Sequence, residues 1–352
     1  MPQYYDGTKL LSMKDINGDT PEIYMCTTNR TGGKTTYYNR LAVNRFMSGK
    51  GKFALIYRFN YELDNVADKF FKDIGNLFFP HYSMRSERRS NGVYHELFLV
   101  NNQAYEDDGE SCGYAITLNS ADQIKKLSHL FSDVNMMIFD EFQSETNKYC
   151  SDELTKFQSI HTSIARGNGE QNRYVPVYML SNPITLINPY YVALGISDRL
   201  KSDTKYLRGV GFVLEQGYVE SASLAQKESA FNRAFSNDAY QIYSSECVYL
   251  NDNTAFIEKP EGNGHYIATV KYMNNEYALR EYANLGIIYC DNRPDKTYPF
   301  KIAITTDDHQ INYVMLKKND LFRSSMRYYF ERGCFRFKDL RCKEVVMKLI
   351  SY

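Results

Sequence analysis

Tryptophan is absent, no charge of either sign is in excess, and no apolar run approaches the ~20 residues of a membrane-spanning helix. Lys plus Arg (42) balance Asp plus Glu (42) to a formal net charge of +0. That balance gives no global signal for a nucleic-acid partner, so any DNA contact has to come from local basic loops. No basic-then-apolar leader opens the chain, and neither export nor membrane insertion is expected. Cysteine is present seven times, but without C-x-x-C or a Cys/His cluster of zinc spacing. An odd number without close pairing argues for free thiols in a reducing cytoplasm and against a structural metal. Internal repeats and low-complexity tracts are also missing. With 352 residues, 43% of them hydrophobic, the chain has material for two domains. Its 31 tyrosines point to no particular function.

Two short stretches carry chemistry. The first, Thr28-Asn29-Arg30-Thr31-Gly32-Gly33-Lys34-Thr35, directly follows the apolar run Ile23-Tyr24-Met25-Cys26. Small residues let backbone N–H groups turn inward around phosphate oxygens, and a following helix adds the positive end of its dipole. In the usual pattern, G-x-x-x-x-G-K-[ST], the Lys reaches the β- and γ-phosphates and the hydroxyl binds Mg²⁺. Here Thr28 replaces the first glycine. The segment Asn29, Arg30, Thr31, Gly32, Gly33, Lys34, Thr35 and Thr36 is accordingly expected to hold the nucleotide; the competing reading is a polar strand-to-helix turn. The second stretch, Met136-Met137-Ile138-Phe139-Asp140-Glu141, reads as a buried strand ending in two carboxylates, which are costly there unless employed. In a P-loop enzyme the first acid, Asp140, holds Mg²⁺ and the second, Glu141, orients and polarises the attacking water. Together the two stretches predict a chain that binds and hydrolyses ATP.

Residues 1–197 alternate between strand and helix patterns, predicting an α/β fold with a mostly parallel sheet covered by helices on both faces. Strands are expected at Ile23–Thr27, Phe53–Tyr57, Glu96–Val100, Tyr114–Leu118, Met136–Phe139 and Val175–Leu180. Helices are expected at Thr35–Met47, Leu63–Asp73, Ser120–Leu130 and Asp152–Ala165. Residues 198–245 turn polar and charged and read as a linker subdomain. From 246 to 352 strands dominate, including Cys247–Leu250 and Ala255–Lys259, and two helices follow.

Further motifs, in order, are Asn-Arg-Phe at 44–46, Tyr-Arg-Phe-Asn-Tyr-Glu-Leu at 57–63, Leu-Ser-Asn-Pro at 180–183, Asn-Pro-Tyr at 188–190, Phe-Ile-Glu-Lys at 256–259 and Thr-Thr-Asp-Asp at 305–308. With the two nucleotide motifs, the chain resembles the DNA-packaging ATPases of phi-29-like tailed phages from about Tyr24 to its C-terminus. The resemblance implies an ASCE-type P-loop NTPase, one with an additional strand in its sheet, plus a C-terminal RNase H-like α+β domain without cutting activity. It also implies a homo-oligomeric ring, a pentamer, on the portal vertex of a procapsid in the host cytoplasm. Such a ring threads double-stranded DNA inward at the expense of ATP with Mg²⁺; whether an RNA component takes part is left open.

By the same resemblance Lys34 and Thr35 match the phosphate and magnesium residues, Asp140 the magnesium carboxylate and Glu141 the catalytic glutamate. Arg30 takes the place of a basic loop residue, read either as a nucleotide or subunit-coupling group or as a solvated cation. Ser181 and Asn182 match the motif that relays the hydrolysis state, against an ordinary strand exit. Arg166 matches an arginine finger that enters the neighbouring subunit's site, with Arg173 in reserve. The plainer reading of Arg166 is a cation at the negative end of the helix Asp152–Ala165, which Ser151 would cap. Arg85, Arg88 and Arg89, in an expected loop beside Arg58, are candidates for gripping DNA phosphates without reading sequence.

Cleavage of DNA would need acids converging on two metal ions. The long C-terminal strand His265–Met273 carries no Asp or Glu, and Glu281, Asp291, Asp307 and Asp308 fall at strand ends, so no nuclease activity is expected. The rival readings are a large terminase that also cuts, another ASCE translocase or helicase, and an adaptor that binds nucleotide without hydrolysis.

Overall fold

The computed structural model describes residues 4–105, 107–146, 148–167, 169–197, 199–200, 204–234, 249, 256–317 and 320–351. It divides into two compact units, Met1–Leu194 with Leu200–Leu250 and Gly195–Arg199 with Asn251–Tyr352. The strands of the first unit are β1 (Ile23–Thr28), β2 (Lys52–Tyr57), β3 (Tyr82–Arg89), β4 (Tyr94–Asn101), β5 (Glu110–Thr117), β6 (Val134–Asp140), β7 (Val177–Ser181), β8 (Tyr206–Gly209) and β9 (Phe212–Gly217). They form one sheet in the order β3-β4-β5-β2-β6-β7-β1-β9-β8. From β5 to β9 every pairing is parallel. Only the margins, β3–β4–β5 and β8–β9, are antiparallel.

The helices are α1 (Thr8–Leu11), α2 (Lys34–Met47), α3 (Val66–Phe78), α4 (Ala121–Lys126), α5 (Glu153–Ile164), α6 (Pro189–Ala193), α7 (Glu220–Glu228) and α8 (Ala230–Ala234). Alternation along the strands sorts the core into two faces. Tyr24, Cys26, Phe53, Leu55, Met136 and Ile138 pack in one cluster with Tyr38, Ala42 and Val43 of α2 and Phe70, Phe71 and Ile74 of α3. On the other face Phe139 stacks on Phe157 of α5, with ring centroids 5.8 Å apart. Cover on both faces is why these strands read as continuous apolar runs.

The parallel arrangement gathers the chemistry at one edge. Thr27 is level with Ser181, and Asp140 with Leu180, so the C-terminal ends of β1, β7 and β6 lie side by side. The strand β7 sits between β1 and β6, which makes it the additional strand of the expected fold class. Beyond each of these ends the chain turns into one wall of the site.

Two stretches differ from expectation. Arg85, Arg88 and Arg89 lie on β3, the marginal strand, not in a loop. Its run of charges hid a strand whose outer edge faces solvent, where charge is a normal protection. Residues 206–217 belong to the main sheet rather than to a separate linker subdomain: β9 pairs with β1 from Ile23↔Phe212 to Thr28↔Gly217. Glu215 disguised this strand. Its buried carboxylate accepts from the hydroxyls of Tyr5 at 2.7 Å and Tyr206 at 3.0 Å, so the charge is satisfied inside. The expected strand Cys247–Leu250, apart from Tyr249, the first residue of Ala255–Lys259 and residues 235–245 lie outside the described residues.

The second unit holds β10 (His265–Tyr272), β11 (Asn275–Tyr282), β12 (Ile287–Asp291), β13 (Lys301–Ala303) and β14 (Phe335–Phe337), with helices α9 (Leu321–Glu331) and α10 (Leu340–Ser351). Its sheet order is β13-β10-β11-β12-β14. Val270, Leu279, Ile288 and Ile302 of the sheet pack in one core with Met326 of α9 and Val345, Val346 and Leu349 of α10. The carboxylate of Asp308 accepts from Met273 N at 2.9 Å, Asn274 N at 2.8 Å and Thr305 Oγ1 at 2.7 Å. Met273 and Asn274 both have positive φ, 49° and 60°, the tight hairpin turn that needs such support. Asp291 is engaged by Arg280 Nε at 2.9 Å. Among the described residues no three His, Cys, Asp or Glu side chains are grouped to hold a metal ion.

Candidate active site

The loop after β1 is shaped by two glycines and one substitution. Gly33 caps α2 with φ 90°, a conformation that a side chain would strain. Gly32 lets another segment approach: a Cβ there would lie 3.0 Å from Val219 Cγ2. Thr28, where the usual pattern has glycine, is fully buried. Its space is supplied by Gly217 on β9, the residue paired with it, where a Cβ would fall 2.9 Å from Thr28 Cγ2. The glycine missing from the loop is thus replaced by one on the neighbouring strand.

Side chains from three strand ends meet around a cavity of about 280 Å³, lined by Arg30, Thr31, Lys34, Thr35, Asp140, Glu141, Ser181, Asn182 and Gln226. Thr35 Oγ1 donates to Asp140 Oδ2 at 2.8 Å, which brings the two expected magnesium groups together. Lys34, only 8% exposed, donates from Nζ to Asn182 Oδ1 at 2.6 Å. Asp140 Oδ1 accepts from the backbone N–H of Glu141 at 2.9 Å. Ser181 is buried, and its hydroxyl donates to the Asn182 carbonyl at 2.6 Å.

Glu141 opens onto the cavity with φ 56°, a left-handed backbone of the kind held at active sites by surrounding contacts. Protein crowding around it, and then the charge of Asp140, raise its carboxyl above the ordinary range, while Arg30 opposes the shift. Arg30 itself is ion-paired with Glu145. A carboxylate that attracts protons more than usual, beside a strand-end Asp with a hydroxyl partner, is the arrangement expected of a general base next to a metal-holding acid.

Not all the expected residues line this cavity. The Asn29 side chain turns away: its Oδ1 accepts from Val219 N at 2.9 Å and its Nδ2 donates to Val219 O at 3.1 Å. Gly32, Gly33 and Thr36 are not among the lining residues; the two glycines shape the loop and Thr36 lies in the first turn of α2.

Arg58 is not a DNA-gripping residue, because it is 5% exposed. Its guanidinium lies between the rings of Phe139 (5.1 Å) and Tyr149 (5.0 Å) and meets both carboxylate oxygens of Glu153, at 3.0 and 3.1 Å. It also donates to the carbonyls of Glu141, at 2.5 Å, and Phe142. A buried cation therefore braces the turn that presents Glu141. Gln143 braces the same turn from the other side, accepting on Oε1 from Ile184 N at 3.2 Å and Thr185 N at 3.0 Å. It ties the chain beyond Glu141 to the loop beyond Asn182. Neither role has a local sequence signature, since each depends on a partner on a different strand exit.

Arg173 is ruled out as a reserve finger. It is buried and donates to the carbonyls of Val134 at 3.2 Å and Ile164 at 2.7 Å, closing the end of α5 onto the start of β6. Arg166 is exposed just past α5. It lies near the N-terminal edge of the parallel strands, where Arg173 N donates to Ala165 O at 2.8 Å. Asp140 and Glu141 are at the opposite edge, about 20 Å away along a seven-residue strand. The N-cap of α5 is Asp152 in a left-handed conformation, without a side-chain cap bond, so Ser151 does not cap it.

On β3, Arg85 and Arg89 both pair with Glu87, and Arg89 also meets Glu96 at 2.9 Å. Arg88, on the opposite side of the strand, is exposed and donates to Asn91 O at 3.1 Å.

A phosphate loop after the first parallel strand, with an Asp–Glu strand end one strand removed across an inserted neighbour, defines a P-loop ATPase. The family model described as Podovirus DNA encapsidation protein (Gp16) matches residues 2–351, and the chain belongs to that family. It is 23% identical over 326 residues to the DNA packaging protein of Bacillus phage phi29, covering 90% of each chain. It is also 23% identical over 327 residues to the DNA packaging protein of Bacillus phage B103, covering 91% of this chain and 92% of that one. A chain of the bacteriophage Phi-29 viral genome packaging motor assembly aligns with a TM-score of 0.69 and 21% identity over 98% of this chain and 99% of that one. That likeness extends the shared fold through both units. The protein is an ATPase of viral DNA packaging.

Proposed function

We propose that the chain works as one subunit of a homo-oligomeric ring, a pentamer, that docks on the procapsid portal in the host cytoplasm and drives double-stranded DNA inward as it hydrolyses Mg²⁺-bound ATP. The observation that carries the proposal is the meeting of Lys34, Thr35, Asp140 and Glu141 around one cavity although they come from two separate strand ends. Thr35 Oγ1 and Asp140 form a hard oxygen pair that suits Mg²⁺. When bound, the ion would neutralise charge on the β- and γ-phosphates.

Glu141 takes a proton from water as the water oxygen bonds to the γ-phosphorus and the bond to the β,γ-bridging oxygen breaks, leaving ADP and phosphate. Lys34 has to exchange its Asn182 partner for phosphate when the nucleotide enters. Asn182 and Ser181 are thereby positioned to sense loading and relay it along β7. Arg166 is too far from its own subunit's cavity to act there and is read as a finger for a neighbour's site.

Phosphate grip falls to the β3 arginines, chiefly Arg88, because Glu87 and Glu96 already hold Arg85 and Arg89. The second unit is read as a DNA-handling or docking module without nuclease activity: β10 has no carboxylate, and Asp291 and Asp308 are occupied by structural hydrogen bonds. The test is packaging in vitro with purified procapsids. Glu141→Gln is expected to bind ATP and the procapsid but neither hydrolyse nor package. DNA uptake by that variant at the wild-type rate would refute the proposal.

A further inference from the structure

One wall of the nucleotide cavity comes from neither nucleotide motif but from α7. Gln226 is half-buried, lines the cavity, and donates from Nε2 to Thr31 Oγ1 at 3.2 Å. The helix is indexed to the phosphate loop at its base. Val219, the residue before its first turn, exchanges two buried hydrogen bonds with the Asn29 amide and packs over Gly32. Seven residues are close to two helical turns, so Gln226 returns to the face on which Val219 is clamped. Between them on that face, Ala222 and Ser223 are buried at 8% and 1% exposure. The clamp therefore aims Gln226 at the loop.

What it meets there is strained. Thr31, a β-branched residue, has φ 59°, a conformation that persists only where neighbours hold it. Its hydroxyl donates to the Arg30 carbonyl at 2.7 Å and accepts from Gln226. A side-chain N–H donor thus faces the part of the loop built to receive phosphate oxygens.

We propose that Gln226 is a phosphate-contacting residue of the nucleotide site, delivered by α7 and positioned through the Asn29–Val219 clamp. With a nucleoside triphosphate in the loop, its amide donates to a phosphate oxygen, and α7 is thereby held according to whether the site is filled. This rests on the nucleotide-site reading above.

The test is a binding titration of the full chain with a fluorescent, non-hydrolysable ATP analogue, run beside steady-state ATP hydrolysis. Losing one hydrogen bond to a charged phosphate, Gln226→Ala should weaken binding about tenfold. Gln226→Glu, which sets a carboxylate against the phosphates, should weaken it further, and Gln226→Arg should bind at least as tightly as Gln226→Ala. In hydrolysis the loss should appear in KM with kcat little changed. Leu224→Ala, at an exposed position of the same helix, should leave both unchanged and controls for helix packing. A side chain that merely closes the cavity would show no charge order, so equal affinities for the Ala and Glu variants, or a tighter Glu variant, would overturn the proposal. Lys34→Ala separates the two failures: if it binds the analogue as wild type does, the nucleotide-site reading itself falls.

Discussion

Replacing Arg58 by alanine removes the charge that joins the core of the first unit to the turn carrying Glu141. Side-chain exposures are 6% for Arg58 and 1% for Glu153, so solvent cannot take over when one partner is lost. Deleting one member of a buried pair typically costs about 3–5 kcal/mol, because the other charge stays buried without compensation. For a unit of this size that corresponds to a fall of about 6–20 °C in Tm.

The deficit should depend on pH in a definite direction. Burial raises the Glu153 carboxyl above its ordinary range, and Arg58 is the largest influence opposing that shift. Without Arg58 the folded-state pKa rises further above its unfolded value of about 4.3. A raised carboxyl makes the fold lose stability as pH climbs from the unfolded to the folded pKa, because the unfolded chain releases the proton first. Acidification from about pH 7.5 to 5.5 should therefore narrow the gap between variant and wild type. Calorimetric melting of both proteins across that range reads the gap directly. Since the carbonyls of Glu141 and Phe142 also lose their donor, kcat should fall more than KM changes. A stability gap under about 1 kcal/mol, or one that does not narrow in acid, would refute the account of Arg58 as a buried brace.

Other expectations follow from the same geometry. Arg166→Ala should bind ATP but lose about 10³-fold or more in turnover, and mixing it with Glu141→Ala subunits should restore part of the activity; normal hydrolysis by the lone variant would return Arg166 to the role of a helix-end cation. The acid limb of kcat/KM for ATP, which reports groups of the free enzyme, should lie above the usual glutamate range because Glu141 is raised, and Arg30→Ala should move that limb to higher pH, since Arg30 opposes the shift. Arg88→Ala should reduce the steepness with which DNA affinity falls with salt, by about one counterion, whereas Arg85→Ala should do less because Glu87 already engages Arg85; equal slopes for both variants and wild type would assign β3 to solvent.

That Lys34-Thr35 and Asp140-Glu141 belong to one site was legible in the chain because they are contiguous pairs placed at the ends of apolar strands, and the structure brings them around one cavity. Most longer helices and strands up to Ser181, β3 excepted, were readable for a similar reason, since burial on both faces leaves long apolar runs and clear turns. Where a strand carries charges that find partners in the fold, as Arg85 and Arg89 do with Glu87 on β3 or Glu215 on β9 does with two tyrosines, local pattern pointed to a loop in the first case and to a linker subdomain in the second. Arg58 looked like a surface cation because nothing adjacent in sequence reveals Glu153, Phe139 and Tyr149 around it.

What the order of residues determined was therefore the kind of reaction, ATP hydrolysis, and the two short stretches proposed to carry it. Folding alone decided the supporting cast, namely that Thr28 is accommodated by Gly217, that Arg58 and Gln143 hold the turn after β6, and that α7 reaches back to the loop through Val219. Those relations join positions far apart along the chain. Hydrogen bonds and buried charges choose their partners by distance in space, and the sheet order sets that distance only once the strands have paired.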